Sequence, residues 1–144
     1  MQRVKRSVLV PHAAEQMFAL VDDVERYPQF LPWCAAAKVL ERREGGKTAR
    51  IDIDFHGVKA FFTTDNANFP PERIVITLND GPFKHLHGEW RFRSLAEDAC
   101  KVEFELAYEF ATGLIETIVG PVFHHIASTF IDAFVRRAEQ LYAT

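Results

Sequence analysis

Few residues in this chain stand where they could do covalent chemistry. His85 and His87 lie two apart and His124 and His125 side by side. Spacing of two puts both imidazoles on one face of a strand. A zinc site needs further Cys, His or acid ligands at matching spacing, and none is there. Cys34 follows Trp33 with no histidine or acid placed to activate a thiol, so nucleophilic catalysis is not expected. No Gly-x-Ser-x-Gly elbow, phosphate loop or dinucleotide fingerprint occurs. Glu103, Glu105 and Glu109 alternate along a strand on its wet face, where a carboxylate keeps its ordinary pKa. A cyclase would want an ionisable group inside an apolar cavity, where burial shifts its pKa. The inward positions carry none; only Tyr108, His56 or Arg50 would reach in on a one-residue slip of register. The expectation is therefore a protein that is not an enzyme, with no metal and no required cofactor.

The remaining chemistry is non-covalent. Thirteen Phe stand against two Trp and three Tyr, and Phe offers a large apolar area with no polar handle. Ile53, Phe55, Phe62, Leu86, Trp90, Phe104, Tyr108, Val119, Phe123, Ile126 and Phe130 are the positions expected to face inward. They form either the wall of a cavity for an isoprenoid or acyl chain or a filled core; pattern alone does not separate the two. Tyr27, Trp33 and Tyr108 are the amphipathic rings suited to a pocket mouth. The string Tyr27-Pro28-Gln29-Phe30-Leu31-Pro32-Trp33-Cys34 has two readings: a rigid connector, or a lid that exposes Phe30, Leu31 and Trp33 to gate the cavity or touch a membrane.

These residues need elements to hold them. Val4–Val10 reads as a strand ended by Pro11. Residues 13–20 make a short amphipathic helix, and a second short turn capped by Asp22 or Asp23 runs through Arg26. Strands follow over Lys38–Arg43, Thr48–His56, Val58–Asn68 and Arg73–Leu78, separated by Gly- and Pro-rich turns. The clearest hairpin turns near Glu97-Asp98. Leu86, Gly88, Trp90 and Phe92 share its dry face with Val102, Phe104, Leu106, Tyr108 and Phe110. That register sets Trp90 near Phe104 and Arg91 beside Glu103. A long helix from Leu114 to Tyr142 carries an apolar stripe from Ile115 to Leu141, and Pro121 inside it should kink the axis. A half-dry antiparallel sheet needs a cover, and only this helix is large enough. The fold class expected is α+β: a curved antiparallel sheet of six or seven strands wrapped around the C-terminal helix, with two short helices after the first strand.

At 144 residues the chain fits one domain, 1–144, and can bury a core. A net charge of −3 gives no general attraction to phosphate backbones, so DNA is not an expected partner. Basic residues cluster locally at Arg3, Lys5 and Arg6, at Arg42, Arg43 and Lys47, and at Arg136 and Arg137, mostly with acids beside them. Cys34 and Cys100 are too few for a disulfide framework. No uninterrupted apolar run reaches spanning length, and the charged opening Met1–Arg6 lacks the apolar run of a signal peptide. A cytoplasmic location is the expectation.

The segment Val24–Cys34 resembles the signature of the coenzyme Q-binding START-like family, which overlaps polyketide cyclase/dehydrase and lipid transport proteins. Gly81-Pro82-Phe83-Lys84 followed by Gly88-Glu89-Trp90-Arg91-Phe92 is similar to a second motif of that family. Leu114-Ile115-Glu116, Val122-Phe123, Ala127-Ser128, Ala133-Phe134 and Arg137-Ala138 resemble its bacterial branch, called ribosome association toxin or RatA. The resemblance implies a helix-grip (START-like, Bet v1-like) fold and two functions. One is binding of ubiquinone or a related lipid in the cavity, supporting respiratory quinone function at the inner membrane. The other is binding to the large ribosomal subunit so that the subunits cannot join. Under the first, the ligand-facing set is Tyr27, Phe30, Trp33 and the inward positions named above.

Overall fold

The computed structural model describes residues 1–142. Seven strands form one antiparallel sheet: β1 (Gln2–Val10), β2 (Cys34–Arg43), β3 (Gly46–Phe55), β4 (Val58–Phe69), β5 (Arg73–Asp80), β6 (Phe83–Ala96) and β7 (Ala99–Phe110). Their order across the sheet is β1-β7-β6-β5-β4-β3-β2. Between β1 and β2 lie helix α1 (Ala14–Asp22) and a 3-10 helix (Val24–Gln29); helix α2 (Gly113–Tyr142) closes the chain. This is the helix-grip arrangement expected from the sequence, with strands generally one to four residues longer than the apolar pattern suggested.

Local chemistry explains the joints. His56 and Gly57 both take positive φ, 50° and 78°, which a two-residue hairpin between Phe55 and Val58 requires and which glycine adopts without strain. Register shifts at Cys34/Ala36, Val39/Glu41, Thr63/Thr64, Phe83/His85 and Ser94/Ala96 add residues to single strands, and such bulges bend a sheet. Thr112 caps α2 by accepting the Ile115 N–H at 3.1 Å. Neither Asp22 nor Asp23 caps the 3-10 helix through its side chain. Asp23 instead pairs with Arg26 at 2.8 Å.

The β6–β7 hairpin has the expected register: Trp90 pairs with Phe104 and Arg91 with Glu103. One face of that pair is dry and meets α2. The other carries a ladder of ion pairs in which Arg91 reaches Glu89, Glu103 and Glu105, and Arg93 reaches Glu103. Helix α2 runs unbroken through Pro121, which lies on its exposed side. Val119, Phe123, Ile126 and Phe134 of its stripe are buried, whereas Leu141 is half exposed; its outer side also exposes Leu114 and Ile118.

Candidate functional site

The candidate site lies between the sheet's inner face and α2. Phe83 of β6, Tyr108 and Phe110 of β7 and Phe123 of α2 pack edge to face or stack at centroid distances from 4.8 to 6.3 Å. Trp90, Phe104, Phe130 and Phe134 form a second aromatic group beside them, with spacings of 4.6–5.7 Å. Rings at such spacings fill space and add about 0.5–1.5 kcal/mol per pair beyond the area they bury.

Beyond the second group the filling stops. A cavity of about 60 Å³ lies against β3, β4 and β5, walled by Ile51, Ala49, Ile74, Ile76 and Phe62, by Trp90 and Phe130, and by Val21, Val24 and Tyr27 from the α1 side. Asp22, Thr64 and Asn66 supply its polar wall. Phe62 on β4 still packs on Phe123 of α2 at 5.9 Å, but the other lining positions of these strands, Ala49, Ile51, Thr64, Asn66, Ile74 and Ile76, carry shorter side chains than the rings of β6 and β7.

Of the residues expected to face a ligand, Tyr27, Phe62, Trp90 and Phe130 line this cavity. The others are set elsewhere. Ile53, Leu86, Phe104, Val119, Phe123 and Ile126 are buried in the packed core. Phe55 is half buried, its ring 5.9 Å from that of His125. Tyr108 is fully buried rather than at a mouth. Its hydroxyl lies 3.0 Å from His124 Nδ1, at the floor of an outer cleft between β1 and α2.

The proline-rich string is the rigid connector, not the exposed lid. Leu31 is 1% and Trp33 5% exposed. The Leu31 N–H donates to the Tyr27 carbonyl at 2.9 Å, and the Asp54 N–H donates to the Trp33 carbonyl at 3.0 Å. Phe30 is half buried, packed 5.2 Å from Phe134 under the Arg137 guanidinium. The Tyr27 hydroxyl donates to the Val21 carbonyl, and burial pushes its pKa well above the ordinary phenol value.

One expectation fails. Ionisable groups do reach the inner face. Lys47, in phase with Ala49, Ile51 and Ile53, has a side chain only 7% exposed. Its Nζ lies 2.8 Å from Asp22 Oδ1 and donates to the Asp22 carbonyl at 2.7 Å, while Asn68 Nδ2 donates to Asp22 Oδ1 at 2.7 Å. Burial of a lysine is tolerable because the carboxylate compensates its charge. The expected strand register itself did not slip: Arg50 points outward, paired with Asp52 at 3.0 Å and lying over the Phe61 ring. Cys34 lies off the cavity, and burial pushes its thiol up to about 11. Among the described residues no cluster of His, Cys, Asp and Glu could hold a metal ion.

Residues 10–135 match the model of the family described as polyketide cyclase / dehydrase and lipid transport. The chain belongs to this family. Among its polyketide cyclase / lipid transport relatives, the ribosome association toxin RatA of Vibrio cholerae is 47% identical over 142 residues, covering 99% of each chain. The mitochondrial coenzyme Q-binding protein COQ10 homolog B of Xenopus laevis is 29% identical over 140 residues, covering 94% of this chain and 57% of its own length. The crystal structure of the Zhui aromatase/cyclase from Streptomyces sp. R1128 superposes with a TM-score of 0.80 at 19% identity, covering 96% of this chain and 94% of that one. At that identity it speaks for the fold alone.

Sequence reasoning missed Lys47, Thr64 and Asn66. The signal was present, since Thr64 and Asn66 continue the inward alternation of Ala60 and Phe62.

Proposed function

We propose that this chain binds a lipophilic molecule, a polyprenyl quinone such as ubiquinone or a related isoprenoid lipid, between its sheet and α2, and does not turn it over. The observation that carries the reading is the cavity itself: apolar walls with a few polar side chains gathered on one side, the usual make-up of a small-molecule site. Ligand pockets run to about 300–1,000 Å³, so at about 60 Å³ this one is closed down and must open. Phe62, Ile76 and Phe130 are half-buried wall residues, and they are the side chains that swing aside. Each methylene of a prenyl tail then contributes about 0.8 kcal/mol on burial. The Asp22 carboxylate is neutralised by Lys47, the Tyr27 hydroxyl donates to the Val21 carbonyl and the Thr64 hydroxyl to Asn66, and the wall holds no histidine to activate either hydroxyl, which favours binding over catalysis. The name of the Xenopus relative points to the same ligand class. Such a protein would work in the cytoplasm with transient contact at the inner membrane, where it would support respiratory quinone function.

Mass spectrometry of solvent extracts from the purified protein tests this. Ubiquinone or another isoprenoid lipid is expected to co-purify, or to bind on addition. Absence of both overturns the reading.

A second reading has its own support: 47% identity along the whole length of a protein named as a ribosome association toxin. Under it the chain binds the large ribosomal subunit and blocks subunit joining. Overexpression should then raise free subunits over whole ribosomes in sucrose gradients. Unchanged profiles at high protein level count against it.

A further inference from the structure

We infer that the side-chain amide of Asn66 reads the polar end of the ligand, and that it selects a neutral carbonyl compound, a quinone or ketone, over a fatty acid or a hydrocarbon. The inference rests on the binding reading above and adds the head-group chemistry. Asn66 is 9% exposed and lines the cavity from β4. Its Oδ1 accepts a hydrogen bond from Thr64 Oγ1 at 2.8 Å, whereas its Nδ2 has no protein partner among the described residues. A primary amide carries two N–H donors, and those of Asn66 make no hydrogen bond to the described protein residues and stay open to a molecule that enters the cavity. An acceptor on such a molecule would pair with them.

The neighbouring polar groups are already engaged. The Tyr27 hydroxyl donates to the Val21 carbonyl. Lys47 spends its charge on Asp22, 2.8 Å away, and Asn68 donates to the same carboxylate. Beside the cavity Lys47 and Asp22 neutralise each other in direct contact, so an incoming carboxylate finds no surplus cation to offset the loss of its hydration. A carbonyl oxygen is neutral and only accepts, which is what Asn66 Nδ2 needs.

Three probes that share a ring and a hexyl tail separate the possibilities: 2-hexyl-1,4-benzoquinone, hexylbenzene and 4-hexylbenzoate, each titrated calorimetrically into the full chain. One net hydrogen bond predicts that the quinone binds about tenfold more tightly than hexylbenzene, with the benzoate weakest. Asn66→Leu should bring the quinone to the level of hexylbenzene and leave hexylbenzene unchanged. Asn66→Asp keeps the acceptor for Thr64 but removes the amide donors, and should also abolish the preference, so a packing defect in the leucine variant does not decide the matter. Equal binding of quinone and hexylbenzene to the native chain overturns this inference while leaving lipophilic binding intact. So does a quinone preference that survives both substitutions. If none of the three binds, the binding reading fails and this inference with it.

Discussion

The two halves of the sheet meet the same helix differently. β6 and β7 pair from Phe83 opposite Phe110 to Ala96 opposite Ala99, and their inward positions carry Leu86, Trp90, Phe92, Phe104, Tyr108 and Phe110. β5 and β6 pair over only five positions, Arg73–Thr77 against Arg91–His87, and β3–β5 point Ala49, Ile51, Thr64, Asn66, Ile74 and Ile76 inward. The rings of β6 and β7, with Phe62 of β4 beside them, interlock with α2, while the shorter and polar side chains of β3–β5 border the void. The void therefore follows side-chain length position by position. Polar atoms collect at the thin half for a related reason: a buried amide or ammonium costs free energy unless partnered, and partners such as Asp22 are at hand only where α1 ends over β3 and β4.

Four measurements would break or sharpen that contrast. Phe123→Ala removes a ring from the closed half, and equilibrium denaturation should show a loss of about 3–5 kcal/mol. A loss near that of a half-buried site would mean that this half is not tightly packed. Lys47→Met leaves the Asp22 carboxylate without its cation. The expected loss is about 2 kcal/mol, less than for a fully buried pair because the Asp22 side chain is 33% exposed. Unchanged stability would place that pair effectively in solvent.

Phe62→Ala enlarges the cavity of the open half. It should lower stability by about 1–2 kcal/mol, less than a fully buried Phe would. It should also tighten binding of an apolar fluorescent probe, which the same change at Phe123 should not do. Equal probe binding by the two variants would erase the distinction between the halves.

The smallest effect concerns the outer face. Hydrogen bonds from Thr48 and Asn79, with Arg43 nearby, hold the Asp65 carboxyl below the usual carboxylate range. Between that lowered native value and the unfolded value of about 3.9, the unfolded chain binds more protons. Stability from Asp65 is thus present above this window and is lost as pH falls through it. Asp65→Asn should flatten the acid limb of a Tm–pH profile slightly; a steeper limb would reverse the sign of the argument.

Much of this was legible in the residues. Charge and ring complementarity set Arg91 against Glu103 and Trp90 against Phe104, because cross-strand neighbours on one face interact directly. The open half was harder to read. Thr64 and Asn66 have inward parity, but an apolar pattern passes over them. Lys47 falls between the strands expected over Lys38–Arg43 and Thr48–His56, yet β3 begins at Gly46 and turns its side chain in. Leu31 and Trp33 gave no periodic signal, since prolines interrupt the string, and Trp33 is covered by Phe130 of α2 from the far end of the chain.

Sequence by itself determined the order of elements, the faces of the strands and the need for one long helix to cover them. These follow from the two-residue and 3.6-residue periods of local backbone geometry. Only the tertiary structure decided how much space is left beneath that helix and which polar groups border it. That space is the difference between the reach of side chains from strands and helices distant in sequence, and no local period records such a difference.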